Sequence, residues 1–325
     1  LLARGGQTAG NGGRIETSGP YLVAQPDLVD LSAVNGLSGE WLLDPVDITI
    51  AAGAAGAGFT DINPVGPVGG NTLFESSAGG NRVQVATLLN QLNTANVRIK
   101  TGPGAGAGNI TVADPVDYSA KAKSLTLEAD NDIVINASID SGPNLLSLDA
   151  DGDILVAAPV ASTSGSINFV ADNDITLSST ITSATAPITI TANRNVSVNA
   201  DVSSGTGAFQ IAATTGYLDG SSAATITLSG PTTFLVGDAA NTSNKLASSL
   251  VGSAGTSLSK TGAGRLILSG ASRNWRGDIT VSDGTLRAEN SDSLGNSAGT
   301  NVAAGKTLEL VGSGSGLTFD ENIEL

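Results

Sequence analysis

Four versions of one segment occupy the middle of the chain: ADNDIVINASID (129–140), ADGDILVAAPVA (150–161), ADNDITLSSTIT (171–182) and ANRNVSVNADVS (192–203). Each begins 21 residues after the one before it. A fixed period in this range is typical of repeat proteins, in which each unit is one supersecondary element stacked on its neighbours. The spacing therefore predicts a solenoid in this part of the molecule.

Residue types recur at fixed positions of the 21-residue frame. Five positions are aliphatic or aromatic, and they are occupied by Leu125, Leu146, Ile167, Ile188, Phe209; Leu127, Leu148, Phe169, Ile190, Ile211; Ile133, Ile154, Ile175, Val196; Ile135, Val156, Leu177, Val198; and Ile139, Val160, Ile181, Val202. A sixth position is alanine, at Ala129, Ala150, Ala171, Ala192 and Ala213. Polar residues alternate with the first two aliphatic positions, which is typical of a half-buried strand.

Each unit has room for three short strands and their turns, but not for a helix. A parallel β-helix with one unit per coil satisfies this pattern, and right-handed winding is the rule for parallel crossovers. Equivalent side chains of successive coils then stack about 4.8 Å apart. A shift of one residue would turn the aliphatic side chains outward, so the register is strongly specified. We predict an all-β, right-handed parallel β-helix with about 21 residues per coil in its regular middle.

Outside this middle the strand-like triplets continue at looser spacing. We expect one β-helix segment over 1–325, with irregular coils and Gly-rich loops in 1–119, regular coils in 120–213 and irregular coils in 214–325. Inserts such as AAGAAGAGFTDINPVGPVGGN (51–71) read as loops that leave the coil surface. If the whole chain followed the plan, some fifteen coils would form a rod roughly 70 Å long. The best helix candidate is the short run that begins at Val83.

The composition excludes some kinds of site and disfavours some classes of partner. Thirty acidic residues against fifteen basic ones give a formal charge of −15, which disfavours nucleic acid and anionic lipid as partners. The sequence has no cysteine, so disulfides and thiolate metal sites are excluded, and no histidine, the commonest general base and metal ligand. No run of residues is long and apolar enough for membrane insertion. We read the chain as a processed piece of a longer protein.

Two parts of the sequence resemble known families of secreted proteins. GGRIETSGPYL (12–22), the following stretch 29–50 and VATLLNQLNTANVRIKTGPGAGAGNITV (85–112) resemble the repeat region of filamentous-haemagglutinin-type adhesins of the two-partner secretion route. This resemblance covers roughly residues 5–213. LSKTGAGRLILSGASRNWRGDITVSDGTLRAENSDSLG (258–295) is similar to the autotransporter-associated β-strand repeat.

These resemblances imply a β-helical protein at the bacterial cell surface or outside the cell. They also imply export in an unfolded state through an outer-membrane β-barrel transporter, with folding outside. The lack of cysteine agrees with this route. The secretion domain and the anchor of a whole exoprotein are not recognised in this sequence.

Acidic residues recur at two turn positions of the repeat. They are Asp130, Asp132, Asp151, Asp153, Asp172 and Asp174, and the fourth unit has asparagine at both positions. Carboxylates stacked one strand spacing apart repel each other, and bound calcium would offset that repulsion. The alternative is that these side chains bond to turn backbone and face water. Calcium is the one cofactor that the sequence suggests.

An Arg-Gly-Asp tripeptide, Arg276, Gly277 and Asp278, lies in the second resemblance. On an exposed turn such a tripeptide would be a receptor-binding site. The alternative is an ordinary glycine turn with incidental neighbours, since short motifs match by chance.

We expect a structural role in adhesion, biofilm matrix or an extracellular filament, through a stiff rod that associates end to end or with other matrix components. A second hypothesis is a module that binds a receptor or glycan through its loops or the Arg-Gly-Asp turn. The third is a polysaccharide-active enzyme, because pectin-degrading enzymes use similar solenoids. Basic residues are few and scattered, so no acid–base pair with a cationic partner is recognisable, and we expect no enzyme.

Overall fold

The computed structural model describes residues 5–10, 14–17, 40–43, 47–53, 61–62, 64–68, 71–75, 82–101, 107–241, 244–296, 299–312, 318 and 322–324. Over these residues the chain forms a parallel β-helix of about 11 turns, with successive turns about 22 residues apart. The predicted right-handed β-helix is confirmed. Three long sheets, which we number I to III, run along it, and their strands are numbered in chain order.

Sheet I contains 13 described strands and forms one long wall of the β-helix. Its strands are β4 (Val65–Val68), β5 (Asn71–Glu75), β7 (Asn96–Lys100), β10 (Leu125–Ala129), β13 (Leu146–Ala150), β16 (Ile167–Ala171), β19 (Ile188–Ala192), β22 (Phe209–Ala213), β25 (Thr232–Val236), β28 (Ser257–Thr261), β31 (Asp278–Val281), β33 (Thr300–Val302) and β35 (Ile323–Glu324). Its pairs are parallel except for β4, which runs antiparallel to β5.

Sheet II contains 12 described strands and follows sheet I in each coil. Its strands are β3 (Ile48–Ala51), β6 (Arg82–Gln84), β8 (Ile110–Val112), β11 (Ile133–Ile135), β14 (Ile154–Val156), β17 (Ile175–Leu177), β20 (Val196–Val198), β23 (Leu218–Gly220), β26 (Lys245–Leu246), β29 (Arg265–Leu268), β32 (Thr285–Ala288) and β34 (Thr307–Leu310).

Sheet III contains eight described strands and completes the coil. Its strands are β9 (Val116–Asp117), β12 (Ile139–Asp140), β15 (Val160–Ser162), β18 (Ile181–Ser183), β21 (Val202–Ser204), β24 (Thr225–Leu228), β27 (Ser249–Gly252) and β30 (Asn274–Trp275). A separate parallel pair joins β1 (Arg14–Thr17) to β2 (Glu40–Leu43).

The aliphatic columns of the sequence form the interior. Ile133, Ile154 and Ile175 pair in register across β11, β14 and β17, and all three side chains are fully buried. Such burial contributes roughly 1.5–3 kcal/mol for each side chain. Phe209 and Phe234 continue the interior and meet edge to face, with ring centroids 6.2 Å apart. Like residues therefore stack along one continuous core, as the repeat predicts.

Buried serines form the corner between sheets III and I. The Ser162, Ser183 and Ser204 side chains each lie at the end of a sheet III strand. Each hydroxyl donates to the carbonyl of the residue three positions later, as in Ser183 Oγ to Ala186 O at 2.8 Å. These bonds satisfy polar groups that the turn would otherwise bury without partners.

The described residues form fewer turns than the fifteen coils expected if the whole chain followed the plan. In the regular middle, cross-coil hydrogen bonds join residues 21 apart, as from Asp153 to Asp132. Outside it the coils are longer: the bond from Ser124 to Asn96 spans 28 residues. Each insert lengthens a coil without adding one, so the same chain makes fewer turns.

One short helix lies near the start of sheet III. Helix α1 (Val85–Gln91) falls inside the run that the sequence suggested, buries Val85 and Leu88, and contacts β9. Within the described part of the chain, no helix has the length and apolarity that a membrane crossing requires. The division of 1–325 into irregular and regular parts of a single segment stays a prediction.

Candidate functional site

The second acidic turn position forms a continuous ladder of cross-coil hydrogen bonds. Asp132 Oδ1 accepts the backbone N–H of Asp153 at 2.8 Å, and Asp153 Oδ1 accepts that of Asp174 at 3.0 Å. Asp174 Oδ1 then accepts the N–H of Asn195 at 3.0 Å. Earlier in the series, Asn109 Oδ1 accepts the N–H of Asp132 at 3.1 Å, and Asp47 Oδ1 accepts the N–H of Asn109 at 3.0 Å. We call these six residues the turn ladder.

The turn ladder differs in one respect from the expected turn chemistry. Each side chain bonds to the backbone of the next coil instead of its own turn. Asparagine can replace aspartate here, because both side chains have the required Oδ1 acceptor. This explains why Asn195 can occupy the position in the fourth unit. Its Oδ1 continues the series, since it accepts the N–H of Tyr217 at 2.9 Å.

Asp174 is the ladder carboxylate with a bidentate cationic partner. Arg194 donates to it from Nε and Nη2, each at 2.7 Å. The Arg194 hydrogen bond, with that of Asn195 N–H, lowers the pKa of Asp174 against the opposing effect of burial. Both side chains are solvent-accessible, so the pair itself contributes little to stability. Arg194 thus compensates charge at the last of three consecutive ladder carboxylates, Asp132, Asp153 and Asp174.

The first acidic turn position has a more open environment. Asp151 and Asp172 are exposed, and Asp130 is half-buried. Nearby Asp149 lies on the outer face of sheet I, where burial and the charges of Glu128, Asp151 and Asp172 raise its pKa. These carboxylates crowd one edge of the sheet, which agrees with the predicted repulsion.

The turn ladder uses carboxylate oxygens that a calcium ion would need. Among the described residues, no group of three or more Asp or Glu side chains is arranged to hold a metal ion. Calcium binding at the six aspartates therefore stays a prediction, without a preformed site in its support.

The Arg-Gly-Asp tripeptide lies flat on the preceding coil. Arg276 N–H donates to Gly252 O at 2.9 Å, and Asp278 N–H donates to Thr256 O at 3.0 Å. The side chains of Arg276 and Asp278 are exposed, whereas Gly277 is buried. A Cβ atom at Gly277 would lie 2.3 Å from Thr256 O, so only glycine fits this turn.

Trp275, next to the tripeptide, is a core residue. Its side chain is fully buried, and it pairs with Gly252 of the preceding coil. A Cβ atom at Gly252 would lie 2.6 Å from the indole ring, so this glycine leaves the space that the tryptophan fills. The tripeptide is thus anchored by its own neighbour.

An open groove lies beside Asp278 on the outer face of sheet I. Its volume is about 380 Å³, and its lining includes Asp278, Thr280, Asn301 and Glu324. These side chains offer hydroxyl, amide and carboxylate groups to solvent. One of its lining residues, Asp278, belongs to the tripeptide that the sequence singled out.

Lys260 is an interior residue of the same coils. It pairs with Phe234 and Val281 at a position that is otherwise apolar, and it is fully buried. Its Nζ donates to the carbonyls of Gly262 (2.5 Å), Gly264 and, from the next coil, Asp283 (3.0 Å). Burial lowers the pKa of Lys260 to about 8, partly opposed by the charge of Asp283.

Two glycine turns make the Lys260 contact geometrically feasible. Gly262 and Gly284 have φ of +75° and +64°, a conformation that favours glycine. A Cβ atom at Gly284 would lie 2.6 Å from Lys260 Nζ. The segments KTGAG (260–264) and DG (283–284) therefore form one unit that ties two coils together.

The family model of the passenger-associated-transport-repeat matches residues 258–288 of this chain. These residues contain Lys260, both glycine turns and the Arg-Gly-Asp tripeptide, so the match agrees with the second resemblance drawn from the sequence. The repeat occurs in secreted passenger domains of autotransporters. No curated protein and no solved structure matches the chain.

The comparison supports a secreted, passenger-type repeat domain. It does not extend to the filamentous-haemagglutinin resemblance, which stays a prediction. Sequence reasoning overlooked Lys260, although a signal was present. A lysine at an interior position of the frame, followed by G-x-G, indicates an ammonium group that binds turn carbonyls.

Proposed function

We propose that the chain is a stiff structural segment of a secreted bacterial surface protein, an adhesin or extracellular filament. The observation that carries the proposal is the combination of one uninterrupted core through about 11 turns with a passenger-type repeat in the same chain. The described parts form an extended scaffold with many equivalent surface positions. No reaction is assigned to it.

Stiffness follows from the way the coils are joined. From β9 to β30 each coil bonds to the next through three parallel ladders, and the turn ladder and Lys260 add side-chain bonds between coils. A force along the axis would have to separate many of these bonds at once. Stability of such a stack belongs to neighbouring units together.

End-to-end association is part of the proposal. Among the described residues, β34 and β35 each pair with one strand only, and Leu310, Val311 and Ile323 are 42%, 37% and 38% exposed. Unpaired strand edges with apolar side chains favour addition of a further strand. Another coil paired with these strands would extend the sheets.

Location and export are inferred from the repeat match. We place the protein outside the cell or at the bacterial surface, exported through an outer-membrane transporter by the two-partner route that the first resemblance implies. The repeat's occurrence in passenger domains supports this placement.

Negative-stain electron microscopy of the purified chain tests the structural proposal. Rods with a constant width, some joined end to end, are the expected result. Compact particles without an axis would contradict it. A Leu310→Lys variant should shorten end-to-end assemblies, whereas Leu145→Lys, a similarly exposed leucine far from that edge, should not.

A second candidate function is receptor or glycan binding through Arg276 and Asp278. Their exposure and the adjacent groove favour it. Attachment of cells to surfaces coated with the chain tests it. Asp278→Glu keeps the charge but lengthens the side chain, so attachment should fall if the tripeptide is recognised, and unchanged attachment would contradict recognition.

A further inference from the structure

Sheet I has an outer surface without charged side chains in five consecutive strands. The outward residues of β16, β19, β22, β25 and β28 are all uncharged, in a chain with a formal charge of −15. We call this surface, spanning those five strands, the neutral face. Asp149 of β13 bounds it on one side, and Asp278 of β31 bounds it on the other.

The middle row of the neutral face is a regular ladder of polar groups. Asn168, Thr189, Gln210, Thr233 and Ser259 pair in register from strand to strand. Their spacing along the axis is about 4.8 Å. Within the described part of the chain, the side chains of Thr189, Gln210 and Thr233 have no hydrogen-bond partner, so they can donate and accept outward.

The neighbouring row adds apolar area. Val170 and Leu235 point outward and are half-buried, whereas Ala212, on the strand before Leu235, is already buried and adds no area. Removing such side chains from water stabilises an interface by roughly 25 cal/mol for each Å² of apolar surface. The face therefore has an apolar row that water solvates poorly and a polar row that can form hydrogen bonds.

We propose that the neutral face is a lateral contact surface that binds the neutral face of a second copy of this chain. Two molecules of −15 repel each other wherever acidic residues meet, so contact through an uncharged surface is favoured. The outward residues of sheet III are also uncharged from β15 to β30, but those strands have two to four residues, whereas the strands of the neutral face have five and form the wider surface. Contact through sheet I brings together two uncharged surfaces. The acidic turn ladder lies at the start of sheet II, away from the middle of the contact.

Other partners fit the face less well. None of its outward side chains is aromatic, so sugar rings have no surface on which to stack. Polyanions are disfavoured by the net charge. A second copy supplies a matching row of donors and acceptors with the same spacing.

The size of the face predicts a weak contact. Five strands at about 4.8 Å and five residues at about 3.3 Å give roughly 400 Å² for each copy. Standard interfaces bury about 800 Å² for each partner, so pairing should depend strongly on concentration. This contact is distinct from the end-to-end association above: it would give thicker particles, not longer ones.

Sedimentation equilibrium tests the proposal with a matched pair of variants. Thr189→Asp places a carboxylate in the neutral face, whereas Thr176→Asp makes the same change on the outer face of sheet II, in β17. Both threonines are half-buried strand residues, and both variants change the net charge equally. Far-UV circular dichroism confirms that each variant folds.

The wild type and Thr176→Asp should show the same rise in average mass with concentration, and Thr189→Asp should associate at least tenfold more weakly. Higher salt should strengthen the wild-type pairing, because it screens the flanking acidic residues. A wild type that stays monomeric throughout, or an equal effect of both variants, would overturn the proposal. If imaging shows longer particles but none that are thicker than a single chain, end contacts explain the association and the lateral contact is refuted.

Discussion

Asp153 Oδ1 lies 3.0 Å from the backbone nitrogen of Asp174 and accepts its hydrogen bond. The two residues occupy the same position in successive coils, 21 residues apart. Asp174 directly precedes β17, so a side chain of one coil fixes the start of a strand in the next. The aspartates of the second turn position, Asp132, Asp153 and Asp174, therefore have a structural role.

Replacing Asp153 by alanine should remove this acceptor and leave the Asp174 N–H without it. A half-buried donor that loses its partner costs about 1–3 kcal/mol in free energy of unfolding. Amide hydrogen exchange at Asp174 should become at least tenfold faster. Asp153→Asn keeps Oδ1 and should change the exchange rate little; an equal effect of both variants would show that the acceptor is not the stabilising group.

The interior column predicts that substitutions at two adjacent residues lower the free energy of unfolding by very different amounts. Ile154→Ala should lower the free energy of unfolding by about 2–5 kcal/mol, because it creates a cavity between Ile133 and Ile175. Leu155→Ala should cost less than half as much, since Leu155 points outward. Guanidinium denaturation measures both, and equal losses would contradict the assigned faces.

Lys260 predicts an unusual dependence of stability on pH. Its pKa in the folded chain is about 8, below the ordinary 10.5, because of burial. Between these two values the unfolded chain binds the proton and the folded chain does not, so stability rises with pH across this window. The nearby charges are Asp283, which opposes the shift, and Lys306, which adds to it.

The measurement compares the wild type with Lys260→Met by denaturation from pH 7.5 to pH 10. Methionine fills a similar volume and does not titrate, so the difference isolates the lysine. The wild type should gain stability relative to the variant as pH rises. A difference that stays constant would contradict a lowered pKa for Lys260.

Gly277 should be more sensitive to substitution than its exposed neighbours. Gly277→Ala forces a Cβ atom to 2.3 Å from Thr256 O and should cost about 1–3 kcal/mol. Arg276→Ala removes an exposed side chain and should stay within about 0.5 kcal/mol of the wild type. Thermal unfolding checks both, and a tolerated Gly277→Ala would refute the close packing of this turn.

The fold and its core, which depend on the repeat frame, could be predicted from the sequence. The columns that contain Ile133, Ile154 and Ile175 have one burial pattern in every unit, so periodicity was sufficient to identify the fold and its core. The number of coils was harder to predict, because an insert and a coil look alike where the frame loosens, as between Asn96 and Ser124.

Cross-coil side-chain contacts were harder to predict. The aspartates at 132, 153 and 174 were recognised as a turn pattern, but a single repeat cannot show whether Oδ1 reaches its own turn or the next one. Lys260 was overlooked because its partners are backbone carbonyls, and only its interior position in the frame and the G-x-G after it could have indicated them.

Distances between spin labels test the stacking of coils most directly. The chain has no cysteine, so labels can be placed at chosen outward positions of sheet I. Pairs of cysteines at Thr126 with Thr189, Thr233 or Thr280 are separated by three, five and seven strand spacings in the observed register.

Pulsed electron–electron double resonance should give backbone separations that grow linearly with the number of strand spacings. At about 4.8 Å for each spacing, the three pairs should be about 14, 24 and 34 Å apart. Equal distances for the three pairs, or a distance that shortens from Thr233 to Thr280, would contradict a β-helix in which each coil stacks on the last.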